Sequence, residues 1–278
     1  MVRLRCASSV AELAADRLFG LGASAVGEEP DGDGTVLTAD IEPEVLEDLR
    51  RWCATCEPTP EVQQVAVDPA WADSWREHAT THRVGPLLVR PPWLAEPLGS
   101  DEIELVVDPG HAFGSGSHPT TRLCLEALVG RVRGGERVLD VGCGSGVLAV
   151  AALKLGAARA VGLDIDPAAI DATREVAAVN GVQDRIEVGD GRLAAVPGTF
   201  DLVLANLLVG IIEDLGSLLV SRVAPGGTLV VSGVLESQRD RVVGALSPLE
   251  PGRERALEGW LAVEMRHPDR GSPAPPAM

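Results

Sequence analysis

Tyrosine is absent from this chain, and lysine occurs once, at Lys154, among 24 basic residues. Both scarcities read as genome composition, without mechanistic content. Other absences exclude more. With 24 Lys and Arg against 41 Asp and Glu, the formal net charge is −17. Affinity for a phosphate backbone comes from clustered cations, so no direct nucleic-acid binding is expected. A basic polypeptide would instead be steered toward such a surface. No stretch approaches the roughly 18 uninterrupted apolar residues of a membrane span. Residues 1–10 (MVRLRCASSV) also lack an apolar signal core, so a cytoplasmic protein with no membrane partner is expected. Five cysteines, Cys6, Cys53, Cys56, Cys124 and Cys143, are an odd number in 278 residues. Reduced thiols are therefore expected rather than a disulfide framework.

The composition that remains, 45% hydrophobic and 23% charged, is that of an ordinary globular protein. A chain of this length accommodates one large domain and one small one. In the first 67 residues, VRLRCA reads as a strand and SVAELAADRLFGLG as an amphipathic helix. ASAVGEE and GTVLTADI then form a hairpin around PDGDG, EPEVLEDLRRWC a second helix, and VQQVAVD a last strand. That order is the ferredoxin-like unit. DPAWADSWREHATTHRV, with Trp71 and Trp75 four residues apart, reads as a connecting helix, and LLVRPPW and EIELVVDP as short β pieces leading on. From Gly134, apolar runs suited to buried parallel strands (RVLDVG, RAVGLDI, RIEVGD, FDLVLAN, GTLVVSG) alternate with helical patterns, and GWLAVEMRH supplies a final strand. The expectation is an α/β protein with a doubly wound, Rossmann-like sheet and a small N-terminal ferredoxin-like α+β domain. Its parts are residues 1–67, a linker and lead-in at 68–100, the large domain at 101–267, and a Pro/Gly/Ser-rich disordered tail at 268–278.

In a doubly wound sheet a ligand sits at the carboxyl ends of the strands, where strand order reverses. RVLDVGCGSG places Gly142, Gly144 and Gly146 there. The dinucleotide fingerprint G-x-G-x-x-G needs a glycine where this chain has Val147, which disfavours a nicotinamide enzyme. What stands is D-x-G-x-G-x-G, typical of S-adenosylmethionine binding, where no pyrophosphate has to be seated. Asp164 follows the glycines by about 20 residues, where a carboxylate can accept both ribose hydroxyls. Asp166, just before Pro167, reads as the cap of the next helix. Asn206 ends the fourth strand, and Leu207, Leu208 and Val209 follow it. The N-P-P-Y of enzymes that methylate adenine or glutamine is thus missing, which counts against a base or amide target.

Several features have plainer readings. Cys53 and Cys56 form C-x-x-C without a second Cys/His pair, so a structural role at a helix end is expected. His78 and His82 lack the glutamate of H-E-x-x-H, and DGDG at 31–34 lacks the spacing of a calcium loop, so no metal site is expected. His118-Pro119 most simply starts a helix. Cys143 is a small residue that fits its turn.

DPGHAFGSGSHPTTRLCLEAL, VLDVGCGSGVLAVAALKLGAARAVGLDIDPAAIDATREVAAVNGV, and VLANLLVGIIEDL with APGGTLVVSGVLESQ resemble, in order and spacing, the ribosomal protein L-eleven (L11) methyltransferase family of the PrmA type. The likeness is close over about 108–240 and weaker at 71–93, WADSWREHATTHRVGPLLVRPPW. It implies a ferredoxin-like substrate-recognition domain, a helical linker and a class I methyltransferase domain. It also implies S-adenosyl-L-methionine as methyl donor, and lysine side chains and the N-terminal amine of ribosomal protein L-eleven as acceptors; a monomer is expected. Position by position, Thr121, Gly142, Asp164 and Asn206 match the family's cofactor-binding residues, with Gly144 in the same run. Phe113 matches the aromatic of a loop covering the methionine part of the cofactor. Asp190, in VGDG, stands where class I enzymes often place an acid near the adenine; a solvated turn is the alternative.

A sulfonium methyl is intrinsically reactive, so alignment is the chief requirement and can supply roughly 7–11 kcal/mol. The attacking amine must be neutral. At pH 7 deprotonation costs about 4.6 kcal/mol for a lysine and about 1 kcal/mol for an N-terminal amine. A carboxylate beside the amine would keep it charged, so Asn206 and backbone carbonyls suit its orientation, with water taking the proton. The chain departs from the family in its short, acidic N-terminal unit and in Ala79-Thr80-Thr81, where an aromatic and a basic residue usually precede a proline. Two alternatives therefore stay open: the same chemistry on another protein or a small amine, and a non-catalytic cofactor-binding module.

Overall fold

The computed structural model describes residues 1–7, 10, 11, 14, 15, 17, 18, 21–23, 26–32, 34–39, 41–56, 58–65, 80–108 and 116–267. The chain divides into two compact units, Met1–Ala79 and Thr80–Met278.

In the first unit, β1 (Val2–Ala7) alternates buried Val2, Leu4 and Cys6 with exposed arginines, the period of a strand with one face on a core. It pairs antiparallel with both β3 (Gly34–Ala39) and β4 (Glu61–Gln64), and β2 (Val26–Asp31) pairs antiparallel with β3, giving the order β2-β3-β1-β4. That is the ferredoxin-like order. Residues 10, 11, 14 and 18 are helical, and their side chains Val10, Ala11, Ala14 and Leu18 are buried against the sheet. Helix α1 (Leu46–Cys53), preceded by a 3-10 turn at Pro43–Val45, adds Leu46, Leu49 and Cys53 at helical spacing.

The second unit is built on a seven-stranded sheet. Its strands are β8 (Arg137–Val141), β9 (Arg159–Leu163), β10 (Ile186–Gly189), β11 (Phe200–Asn206), β12 (Val223–Leu235), β13 (Glu250–Leu257) and β14 (Trp260–Arg266). Their order is β10-β9-β8-β11-β12-β14-β13, the first five parallel and β14 antiparallel to both its neighbours. Strand order reverses next to β8, so the carboxyl ends of β8 and β11 flank a crevice. Alternate side chains feed two cores, as a sheet covered on both faces requires. Val138, Leu202, Leu204 and Val230 pack with helices α2 (Pro119–Arg131) and α3 (Val147–Leu155), and with Val176 of α4 (Pro167–Val179). Leu139, Val141, Val203, Ala205 and Val231 pack with α5 (Val209–Arg222) and with Val242 of α6 (Arg239–Ala245). Helix α3 is buried from Val147 to Leu153 on every side, which explains why it reads as apolar throughout rather than amphipathic.

A separate three-stranded sheet, β5 (His82–Val84), β6 (Leu87–Arg90) and β7 (Ile103–Val106), puts Val84, Leu87, Val89 and Leu105 into the α2–α3 core. Asn180, at the end of α4, fastens β7 by accepting from the Val106 N–H (2.9 Å) and donating to its carbonyl (2.6 Å). The connecting helix read over 68–84 is corrected at its end: His82–Val84 is strand β5, drawn out by pairing with β6, while 68–79 lie outside the described residues. β13 is an addition to the sequence reading, because its side chains are almost all exposed and leave no apolar alternation. Among the described residues, no helix is long and apolar enough to cross a membrane.

Candidate functional site

The turn leaving β8 bends at three glycines with positive φ, Gly142 (+72°), Gly144 (+54°) and Gly146 (+78°). Space as well as φ demands glycine. A Cβ on Gly142 would stand 2.4 Å from Leu207 Cδ2, and one on Gly146 within 2.7–3.0 Å of Thr173. The Gly142 and Cys143 N–H groups both donate to the Leu163 carbonyl (2.8 and 3.0 Å), binding the turn to the end of β9. Gly144 is held through both of its polar groups: its N–H donates to Asp164 Oδ2 (2.9 Å), and its carbonyl accepts from the Thr173 hydroxyl (2.9 Å). The loop is thus shaped before any ligand arrives.

Half-buried Asp164 also accepts the Asp166 N–H on Oδ1 (3.0 Å). Two of the roughly four lone-pair positions of a carboxylate are then used, leaving acceptor capacity on both oxygens. Asp166 caps α4 by accepting the Ala168 N–H (2.8 Å), with Pro167 first in the helix. Between the two acids, Ile165 is 88% exposed, a large apolar surface beside the carboxylate. The loop after β10 closes on the same place, since a Cβ on Gly191 would meet Ile165 Cγ2 at 2.7 Å. Asp190, in that loop, is exposed and paired with Arg192 (2.6 Å), whose guanidinium holds its carboxyl below the usual range. Both readings of Asp190, a polar group near a ligand and a solvated turn, accord with that position.

Asn206 ends β11, half-buried, paired beside Ser232 of β12. The Leu207 N–H donates to the Ser232 carbonyl (3.0 Å), and Gly233 (φ +82°) leaves no room for a Cβ, which would lie 2.6–2.9 Å from the Leu207 backbone. The Asn206-Leu207 turn is therefore wedged between Gly142 and Gly233. Thr121, third residue of α2, is 1% exposed. Phe113 lies outside the described residues. The structure thus joins Gly142, Gly144, Asp164 and Asn206 around one crevice, with Asp190 at its edge.

Two residues were given no role by sequence reasoning, although one of them, Asp140, opens the D-x-G-x-G-x-G run. Thr173 carries the Gly144 carbonyl; its signal is a hydroxyl inside the otherwise apolar buried stripe Ala169, Val176, Ala177 of α4. Asp140 is the other. Strand alternation turns it to the α2–α3 face, where it is 1% exposed and accepts the Ala149 N–H in the first turn of α3 (3.1 Å). Burial pushes its carboxyl up to about 7, against the Ala149 bond and with a further push from Asp164. One turn along α2 from Thr121, burial followed by the charge of Asp140 pushes the Cys124 thiol up to about 12. Among the described residues neither Thr121 Oγ1 nor Asp140 Oδ1 has a hydrogen-bond partner, and both atoms are buried. An unpaired buried oxygen costs free energy, so two of them on one side of a glycine crevice mark places where a polar ligand would supply the missing bonds.

The cysteines of the first unit share a core. Cys6, Cys53 and half-buried Cys56 pack together, and burial, followed by Cys56 and Cys6, pushes the Cys53 thiol up to about 11. Such thiols are poor nucleophiles. His78 lies outside the described residues, whereas His82 sits in β5, where burial and then Arg122 lower its pKa.

The family model described as Ribosomal protein L11 methyltransferase (PrmA) matches residues 2–268, nearly the whole chain. The chain belongs to that family. Among PrmA relatives, the ribosomal protein L11 methyltransferase of Geobacter metallireducens is 46% identical over 189 residues, 67% of this chain and 62% of that protein. The one from Cupriavidus metallidurans is 43% identical over 204 residues, 72% of this chain and 66% of its own length. The chain thus spans a little under two thirds of these two relatives. The crystal structure of a ribosomal protein L11 methylase from Lactobacillus delbrueckii subsp. bulgaricus superposes with a TM-score of 0.63 at 32% identity, over 67% of this chain and 98% of that one. The PrmA match takes in both compact units, so the ferredoxin-like sheet and the glycine crevice are features of one family chain.

Proposed function

We propose that this protein binds S-adenosyl-L-methionine in the crevice and methylates amines of ribosomal protein L11, lysine side chains or the N-terminal amine, by direct displacement. The observation that carries the reading is the Gly144 peptide fixed to Asp164 and Thr173, with Asn206-Leu207 laid across Gly142. The ligand supplies a methyl group on a cationic sulfonium. Asp164 has acceptor capacity for the ribose hydroxyls, and exposed Ile165 offers an apolar face to the adenine, with Asp190 at its edge. Thr121 Oγ1 and Asp140 Oδ1, buried and without partners among the described residues, fit the polar methionine end, Asp140 matching its ammonium. Gly142 and Gly144 let the ligand approach the backbone.

The acceptor must arrive neutral. Asn206 offers it a carbonyl oxygen without the negative charge that would hold a proton on the amine. Leu207 and Leu208 line the approach with hydrocarbon, suited to a methylene stem. Residues 1–67, within the first unit, serve as the recognition domain, and the chain's net charge of −17 favours a basic protein partner.

Intact-mass analysis of the same organism's ribosomal protein L11 after incubation with this protein and S-adenosylmethionine tests the reading. Mass increments of one methyl each, located by digestion, support it. An unchanged mass, with cofactor binding demonstrated separately, removes that acceptor. Asn206→Ala should lose turnover while still binding cofactor; full turnover would remove its assigned role.

A further inference from the structure

His118 is the N-cap of α2, with extended dihedrals (φ −61°, ψ 140°). Its Nδ1 accepts the Thr120 N–H (3.3 Å) and lies 2.7 Å from the Thr120 hydroxyl. Ser, Thr, Asp or Asn would be the ordinary choice for such a cap. What the imidazole adds is reach. Its ring stands edge-on to the Trp260 indole, centroids 5.3 Å apart at 66°, an arrangement aromatic rings favour. Trp260 opens β14 directly after a two-residue turn, Glu258-Gly259, in which both residues have positive φ (+53° and +81°). Such turns match the twist of a hairpin. The Glu236 N–H donates to the Gly259 carbonyl (3.0 Å) and ties that turn to the end of β12. The β13–β14 hairpin thus delivers a rigid aromatic edge to the first turn of the helix that carries Thr121.

We propose that His118 is a positioning residue for cofactor binding, its ring braced on Trp260 and its Nδ1 capping the turn of α2 that presents Thr121. The inference rests on the function proposed above and extends it to a residue that need not touch the ligand. Nδ1 accepts only while it carries no proton. Burial lowers the pKa of His118, and Glu258, the charged group acting on it from the hairpin, pulls in the other direction but less strongly. Thr120 and Trp260 are uncharged, and Arg122, the next charged residue of α2, acts on His82 of β5 instead. A depressed folded pKa means the capped state is complete above the ordinary histidine value near 6.5 and is lost as pH falls through the lower folded value.

The test is calorimetric titration of the full chain with S-adenosylhomocysteine, at pH 7.5 and pH 5.5, for the wild type, His118→Ala and His118→Asn. Loss of a cap corresponds to roughly a fivefold change in an equilibrium constant, so His118→Ala should bind about fivefold more weakly at pH 7.5. His118→Asn, which restores a capping oxygen, should bind within about twofold of wild type. It should also lose the weakening that wild type shows at pH 5.5. A second readout needs no ligand: a protonated imidazole in contact with an indole quenches its emission. Emission should fall on acidification in the wild type and change less in His118→Asn and in Trp260→Phe. If the wild type binds no S-adenosylhomocysteine, the reading of the crevice falls. If it binds and His118→Ala binds equally well, or His118→Asn binds as poorly as His118→Ala, or the acid weakening persists in His118→Asn, the role assigned to His118 falls while the crevice stands.

Discussion

Asp140 gathers several lines of physics in one side chain. Among the described residues it is buried with a single hydrogen bond and one of its oxygens lacks a partner, and its carboxyl is pushed up to about 7. A carboxyl that is harder to ionise when folded than when unfolded near 3.9 binds more protons in the native state, so stability falls as pH rises between those values. Urea midpoints of the ligand-free protein should therefore decline from pH 4.5 to 7, and Asp140→Asn, which keeps an acceptor for the Ala149 N–H, should flatten that decline. An unchanged slope in the variant would place the titration elsewhere. Thr173 makes a sharper case at the crevice. Thr173→Val keeps the shape but leaves the Gly144 carbonyl without its hydroxyl, a loss of about 1–2 kcal/mol, and cofactor affinity should drop about tenfold with it. Calorimetry on the variant checks this. Thr173 did not stand out in the sequence, because a lone polar residue in an apolar helix stripe has no spacing to mark it, whereas Asp140 was visible as the acid that opens D-x-G-x-G-x-G. The glycines, Asp164 and Asn206 were legible because each stands at or just past the carboxyl end of a strand, a place the doubly wound topology defines in advance.

The β12 strand shows how an element can tune chemistry it does not perform. Its pairing with β14 slips between Val231 and Val234, and at that irregularity Ser232 donates to the Leu261 carbonyl (3.0 Å) while Gly233 makes way for the Leu207 backbone. Gly233→Ala meets both a positive φ and a 2.6 Å contact with backbone, so the Asn206-Leu207 turn must shift. Misalignment at the reacting centre costs turnover first. Steady-state assays should show kcat reduced by more than tenfold with cofactor affinity reduced less; Gly210→Ala, with open space around it, serves as the control. A second element-scale feature is the ion-pair cluster on β14. Glu264 is 1% exposed and accepts from Arg131 of α2, from Arg255 of β13 (2.7 Å) and from neighbouring Arg266 (2.9 Å). Removing one member of a buried charge cluster strands the others, so Glu264→Ala should lower stability by about 3–5 kcal/mol, read by chemical denaturation. Of these elements, the apolar parallel strands were readable as runs, because burial on both faces leaves them nothing else to be. β13 was not, because its pattern is written in charges.

At the scale of the whole molecule, a small antiparallel unit and a large wound sheet divide the proposed work between recognition and transfer. At saturating cofactor, that division predicts a pH–rate profile set by the acceptor rather than by the enzyme, since no carboxylate or histidine of the crevice is assigned to take the proton. For an N-terminal amine, kcat/KM should rise tenfold per pH unit and level off near 8; for a lysine it should keep rising beyond 9. Rates measured on L11 variants with one acceptor amine each would separate the two, and a profile that bends near 7 for both would point to an enzymic base. Fold class was readable from the order of elements alone, since strand–helix alternation admits few topologies.

The sheet of the large unit ends on β13, where Glu250, Arg253 and Glu254 are exposed and Pro251 has no N–H to offer. Arg239 grips Glu254 from α6, and Arg255 turns inward to Glu264. An open edge is an invitation to an eighth strand, from this chain or a stranger, and here the invitation is withdrawn by charge and by one missing donor. The residues that keep β13 from reading as a strand are thus the ones that let it be the last.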